Sequence, residues 1–268
     1  MYQRDLYTEP SLQLLFEFIR ENPLGLITTA IPSSCYPLLQ SSHIPWALNV
    51  HSHDVEAPVK GTLRGHMARQ NPQSKAMLEE VTNAPNGKLQ HDVMVMFTGA
   101  DHHYVTPKFY TETKPQSAKV VPTWNYTAVQ IYGKATIYHD SSLPETWSYL
   151  SNQLHDLSQH CETSIMGYTG NRESLPPWSV FDAPKSFIEG KKRSIIGIEI
   201  TIETIQGKFK MSQDKGHGDR QGVIAGFRNL GSDIGTNMAD MIKERGDAQD
   251  AKKRKKSLRL DCDRQVEK

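Results

Sequence analysis

Hydrophobic and polar residues alternate over the longest stretch of the chain from Tyr126 onward, and this pattern predicts a long β-strand. One face is drier and carries Thr127, Val129, Ile131, Ala135 and Ile137. A period of two residues is typical of a strand with one drier and one wetter face. We therefore take the segment 97–139 as the centre of the fold.

The remaining chain divides into strands and amphipathic helices. Strands are predicted at 24–31, 36–50 with an interruption at Pro45, 60–67, 92–97 and 195–205. Helices are predicted after Thr8, after Asn71, after a capping box of Ser142 and Glu145, at 185–189, and after Asp219 and Ser232. Capping side chains at these positions would satisfy the free backbone N–H groups of each first turn.

Composition limits the classes of protein that the chain can form. The 268 residues are 37% hydrophobic with a mean hydropathy of −0.57, which predicts a soluble protein of one large domain or two small ones. A net charge of +1 argues against a surface that binds nucleic acid as a whole. We find no signal peptide and no apolar run long enough to cross a membrane.

The cysteines and the charged C-terminal residues bear on the cellular location of the protein. The three cysteines fit neither a disulfide framework nor a zinc site, so a reducing, cytoplasmic location is expected. Residues 246–268 are polar, include the run KKRKK at 252–256, and are predicted to be a disordered basic tail. The alternative for this run is nuclear import or contact with nucleic acid.

Candidate chemistry is concentrated before the long strand and at one other strand end. The candidates before the long strand are Tyr104, Lys108, Trp124, Asn125 and Tyr126. Trp124 could stack on a planar ring or fill the core, and lysine could bind an anionic group. His66 lies at a strand end beside Gly65, which would leave room for a bulky ligand. It is either a ligand or a buried histidine that is hydrogen-bonded to backbone.

Four segments resemble the PaiB family, the FMN-binding negative transcriptional regulators of PAI 2 type. They are RGHMARQNPQSK (64–75), HHYVTPKFYTETK (102–114), VVPTWNYTAVQIYG (120–133) and GKFKMSQDK (207–215). The heme-dependent piperazate synthases resemble the same family. The resemblance implies an α+β split β-barrel with peripheral helices, here one domain over 1–245. It also implies a homodimer with a flat cofactor at the dimer interface.

The resemblance to the piperazate synthases also implies an activity, a cofactor and roles for individual residues. It implies a heme b enzyme that cyclises N5-hydroxyornithine, an amino-acid-like substrate, to piperazic acid by forming an N–N bond. His66 would be the metal ligand, with further cofactor contacts from Arg64, Trp124, Lys210, Ser212 and Gln213. Tyr104, Lys108, Asn125 and Tyr126 would be the catalytic residues.

The alternative cofactor is FMN, in a PaiB-like regulator or flavin-binding protein. Residues 212–215 read SQDK where flavin-type members of the family often read Ser-Gln-Asn-Arg. The departure removes an arginine that could bind the flavin phosphate, which favours the heme reading.

Overall fold

The computed structural model describes residues 1–52, 56, 60–82, 84–171 and 173–266. The strands are β1 (Thr8–Glu9), β2 (Leu24–Ala30), β3 (Leu39–Pro45), β4 (Ala47–Val50), β5 (Gly61–Ala68), β6 (Val93–Thr98), β7 (His103–Val105), β8 (Thr123–Tyr138) and β9 (Ile195–Lys210). The helices are α1 (Leu12–Glu21), α2 (Pro72–Val81), α3 (Thr113–Ser117), α4 (Pro144–His160), α5 (Lys185–Arg193), α6 (His217–Arg228) and α7 (Asp233–Val266). A π-helical turn follows α4 at Cys161–Ile165, and short 3-10 turns lie at Pro107–Phe109 and Val180–Asp182.

The chain forms two units, which we call the central unit and the terminal unit. The central unit contains Ser11–Phe97 and Val129–Gln206, and the terminal unit contains Met1–Pro10, Thr98–Ala128 and Gly207–Lys268. The predicted single domain over 1–245 therefore corresponds to two units of chain. The predicted boundary at 246 stays a prediction, and α7 runs across it from Asp233 to Val266.

The central unit is built on the sheet β3-β2-β6-β8-β9-β5-β4, in which neighbouring strands are hydrogen-bonded. The pairs β2–β3, β2–β6, β4–β5 and β5–β9 are antiparallel. Together with the helices, this sheet confirms the predicted α+β split-barrel class. The alternating face of β8 is buried as predicted, and so are alternate isoleucines of β9 from Ile196 to Ile202.

The terminal unit has a core of its own. Here β1 pairs with the end of β9, and β7 pairs with the start of β8. The buried cluster consists of Val105, Tyr110, Met211, Val223, Ile224, Phe227, Met238, Ala239 and Ile242. Most of these residues come from α6 and α7, whose apolar positions recur at helical spacing as the sequence predicted.

Several predicted helix caps are wrong, and polar side chains explain why. Ser11 caps α1, while Thr8 lies in β1. Ser142 donates its hydroxyl proton to Asp140 at 2.6 Å and caps nothing, so the predicted box is absent. Asp219 lies inside α6 and accepts backbone N–H groups at the start of α3. Residues with short polar side chains satisfy nearby backbone in several ways, and sequence alone does not select one.

The space beside Gly65 is filled by protein, which corrects the expectation of room for a ligand there. A Cβ at Gly65 would lie 2.9 Å from Cε3 of Trp46 and 3.2 Å from Cδ1 of Ile44. Trp46 is buried, and Gly65 lies on the face of β5 opposite to His66 because successive strand residues alternate. Glycine is needed here for core packing.

No helix among the described residues is long and apolar enough to cross a membrane.

We expect Gly65→Ala to destabilise the protein by about 1–3 kcal/mol, because its Cβ would overpack Trp46. Gly190→Ala in α5 is the matched control, since a Cβ there meets no atom within 4 Å. Alanine should stabilise that helical position by up to about 1 kcal/mol. Urea unfolding followed by tryptophan fluorescence measures both, and equal midpoints for the two variants would contradict the packing argument.

Candidate functional site

The predicted site residues fall into two groups, one in each unit. Arg64 and His66 lie on β5 in the central unit. The terminal unit contains Tyr104, Lys108, Trp124, Asn125, Tyr126, Lys210, Ser212 and Gln213. Their catalytic and cofactor-binding roles stay predictions, and the geometry of each group is described separately below.

The imidazole of His66 is fixed by a side chain of α4. Its Nδ1 donates to Oε1 of Gln153 at 2.9 Å, since an amide oxygen can only accept. Burial lowers the pKa of His66 below its ordinary value, and the bond to Gln153 offsets this only in part. The ring is therefore neutral at pH 7, and the tautomer leaves a lone pair on Nε2. This is the arrangement that a metal-ligating histidine requires.

Arg64 extends from the same face of β5 as His66 and is also held by α4. Its Nη2 donates to Asp156 at 2.6 Å and to Asn49 at 3.0 Å. The side chain of Arg64 is only 11% exposed, whereas that of Asp156 is 44% exposed. The pair fixes the guanidinium beside His66 and leaves part of its charge available to an anionic group.

Two buried donors near His66 have no partner within the described part of the chain. They are Nε of Arg64 and Nε2 of Gln153. Unpaired buried N–H groups cost free energy, so such atoms indicate a place where an oxygen of water or of a ligand can accept a hydrogen bond. The donor set of one free imidazole nitrogen and two unpaired N–H groups fits a heme iron together with oxygen acceptors.

The terminal group is organised by a tight turn after β9. Ser212 is buried and has a φ of 57°, a left-handed conformation that is uncommon outside glycine. Asn125 of β8 donates to its hydroxyl at 2.9 Å. The side chain of Gln213 accepts from Met211 N and donates to Phe209 O, both at 2.6 Å. Asn125 and Gln213 thus hold the turn in place.

Three lysines give this turn a positive field. Lys210 donates to Thr123 Oγ1 and, at 3.0 Å, to the carbonyl oxygen of Trp124. Burial lowers the pKa of Lys210, Asp214 raises it, and Lys208 and Lys215 lower it further. A third N–H of the ammonium remains for an anionic group of a ligand.

The remaining candidates are more exposed. Trp124 and Tyr104 are 48% and 43% exposed and form an edge-to-face pair with ring centroids 6.3 Å apart. The ring of Tyr126 lies 5.5 Å from Nζ of Lys208. Lys108 is exposed in the 3-10 turn Pro107–Phe109. Trp124, Tyr104 and Lys108 are therefore exposed, and their roles toward a ligand stay predictions.

Sequence reasoning missed Gln153 and Asp156, the two partners that hold His66 and Arg64. The buried residues of α4 are Thr146, Tyr149, Leu150, Gln153 and Leu157. Gln153 lies three residues after Leu150 and four before Leu157. A polar residue at that spacing was the available signal, because a buried amide requires a partner.

Comparisons with known proteins agree with the resemblance. The family model described as "Putative FMN-binding domain" matches residues 1–204. An uncharacterized protein of Aspergillus fumigatus, AFUA_5G13800, is 53% identical over 94% of this chain and all of its own length. The Bacillus subtilis "Protease synthase and sporulation protein PAI 2" is 26% identical over 91% of this chain and 98% of its own length.

Among solved structures, the FAD and heme binding protein from Mycobacterium smegmatis is similar to 76% of this chain and 73% of its own chain. The sequence identity is 11% and the TM-score is 0.42.

We expect His66 to titrate below the ordinary histidine pKa of about 6.5, because burial disfavours the imidazolium. Neutral His66 then contributes fully to the free energy of unfolding above that pH. The contribution is lost as the pH falls, since the imidazole binds a proton more tightly in the unfolded chain than in the folded one. NMR of the imidazole resonances measures the titration, with His66→Gln to assign the signal. A His66 midpoint at or above about 6.5 would contradict this.

Proposed function

Because the chain belongs to the "Putative FMN-binding domain" family, we propose that it binds a planar redox cofactor and works as a heme-dependent enzyme of the piperazate-synthase type. The reaction is the cyclisation of N5-hydroxyornithine to piperazic acid. The observation that carries the proposal is the fixed tautomer of His66, with Nδ1 bound to Gln153 and Nε2 without a partner among the described residues.

In this proposal His66 would hold heme b through its iron. The neutral imidazole supplies Nε2, and the bond to Gln153 orients the ring and increases its basicity. Arg64 supplies a half-buried positive charge on the same strand face for an anionic group of the cofactor. Bound heme would supply Lewis acidity toward the hydroxylamine oxygen of the substrate.

The overall reaction balances without an external oxidant. The α-amine of the substrate forms the N–N bond, the N–O bond breaks, and the oxygen leaves as one water molecule. That water carries the hydroxyl hydrogen and one proton from the neutral α-amine. The protein must therefore bind a carboxylate and accept a proton from the α-ammonium.

The terminal unit holds the four residues to which the resemblance gives catalytic roles, and these roles stay predictions. Tyr104 and Lys108 are exposed, and no hydrogen bond from the Tyr104 hydroxyl or the Lys108 ammonium occurs within the described residues. The ring of Tyr126 lies against the ammonium group of Lys208. Asn125 is buried and bound to Ser212, so it positions the turn and does not move a proton.

The test begins with hemin titration of the purified full chain and of His66→Ala, followed by the Soret band. We expect the wild type to show a histidine-ligated spectrum and His66→Ala to lose it, together with turnover of N5-hydroxyornithine. Added imidazole should restore ligation only in His66→Ala, because it occupies the space of the missing ring. His43→Ala, at an exposed position of β3, is the matched control.

Two results would oppose this proposal. One is an unshifted Soret band with normal turnover in His66→Ala. The other is a wild-type protein that takes up hemin without histidine ligation and leaves the substrate unchanged.

The second candidate is an FMN-binding, PaiB-like negative regulator, favoured by the description of the matching family. The flavin phosphate would then meet the lysines near Lys210. The absorption spectrum of purified protein separates the two cofactors, since flavin gives a pair of bands in the blue and near ultraviolet. A cytoplasmic location, and nucleic-acid binding through residues 252–256, stay predictions.

Homodimerisation is part of the proposal, supported by apolar surface in the terminal unit. Trp124 is 48% exposed and Val121 is 70% exposed. We expect sedimentation velocity at micromolar concentration to show a dimer that Trp124→Ser weakens, because exposed aromatic residues commonly anchor interfaces. Trp178→Ser, at a residue 47% exposed in the central unit, should leave association unchanged. A monomeric wild type would oppose this.

A further inference from the structure

We propose that the central unit contains a second ligand site, a cavity beside α4 that binds a small monocarboxylate with an aromatic or branched apolar body. Its volume is about 310 Å³. It is lined by one face of α4, by the 3-10 turn Val180–Asp182 and by α5. This volume is at the lower end of the range of about 300–1,000 Å³ typical of small-molecule pockets.

The cavity and the His66 group lie on opposite faces of α4. Trp147 and Ser151, four residues apart, line the cavity. Gln153 and Asp156 point to β5, where they hold His66 and Arg64. Since each helical residue advances by about 100°, these two pairs of positions project in nearly opposite directions. The cavity is therefore separate from His66, the residue proposed to bind the cofactor.

The walls of the cavity are mainly apolar. Trp147, Val180, Phe181, Ala183 and Ile188 contribute to them. Phe181 is 79% exposed, although its ring lies 5.7 Å from that of His155. A large aromatic side chain exposed at the rim of an apolar cavity gains from being covered by an apolar ligand.

One ammonium group in the cavity forms no ion pair within the described part of the chain. Lys192 donates to the hydroxyl of Ser151, and its Nζ lies 5.4 Å from the centroid of Trp147. Glu189 also lines the cavity and lies 4.0 Å from Nζ of Lys185, while no ion pair of Lys192 occurs among the described residues. Burial lowers the pKa of Lys192, and Glu189 raises it in part.

This environment selects the charge of the ligand. An ammonium group withdrawn from water favours a carboxylate partner, and Lys192 has two N–H groups left to donate. The lining carries two lysines, Lys185 and Lys192, and one glutamate, Glu189, so its excess positive charge disfavours a cationic ligand. A neutral ligand would leave Lys192 without an ion-pair partner. A monocarboxylate with an apolar body satisfies both the lysine and the apolar walls.

The experiment is calorimetric titration of the full chain with indole-3-acetate and with its uncharged analogue indole-3-acetamide. We expect saturable binding of one equivalent of the acid, roughly tenfold or more tighter than the amide, as for a hydrogen bond to a charged group. Lys192→Met should reduce the affinity for the acid to that for the amide. Lys191→Met removes the neighbouring exposed lysine of α5 and should leave both affinities unchanged.

A second variant tests the cavity without changing the charge of Lys192. Ala183→Phe should fill the cavity and abolish binding of both compounds while the thermal midpoint stays near that of the wild type. The proposal is overturned if the acid shows no saturation at about 1 mM. Equal binding of acid and amide, or full binding by Lys192→Met or Ala183→Phe, overturns it as well. Hemin binding of these variants should match the wild type, so the result is separable from that of His66.

Discussion

A single buried phenol fixes the position of α4 on the sheet of the central unit. Tyr149 donates to the carbonyl oxygen of Ile198 at 2.6 Å and lies 3.3 Å from that of Gly65. Its ring stacks on Tyr138 with centroids 4.0 Å apart, and it occupies the space that a side chain at position 197 would take. Burial raises the pKa of Tyr149 well above its ordinary value, so the phenol remains a neutral donor.

The placement of α4 determines the chemistry on both of its faces. Gln153 is one turn beyond Tyr149, and it reaches His66 only because the helix lies close to β5. On the other face, Trp147 and Ser151 meet Lys192 of α5. A helix shifted by one ångström would lengthen a 2.9 Å hydrogen bond beyond the range of useful strength, so tautomer control at His66 depends on the Tyr149 anchor.

The sequence predicted the parts of this arrangement that depend on periodicity. The alternation of β8 and the isoleucines of β9 show their buried faces directly, since a sheet face requires apolar residues at every second position. The role of Gly65 could not be predicted, because its neighbour Trp46 belongs to a different strand segment of the sequence. The partners Gln153 and Asp156 are also distant in sequence from the residues that they hold, by 87 and 92 positions.

In the terminal unit, too, contacts between distant residues limited the prediction, although the motif itself was identified from the sequence. The sequence assigns the block 212–215 to ligand binding. In the structure, much of this block stabilises Ser212, which has a left-handed φ. A non-glycine residue at this φ costs about 1–3 kcal/mol, which the bonds from Asn125 and within Gln213 can offset. Around the turn, Lys215 pairs with Asp214 at 3.1 Å and Lys208 donates to the carbonyl oxygen of Tyr2. The fixed turn therefore presents the charge of Lys210, much as Gln153 presents the lone pair of His66.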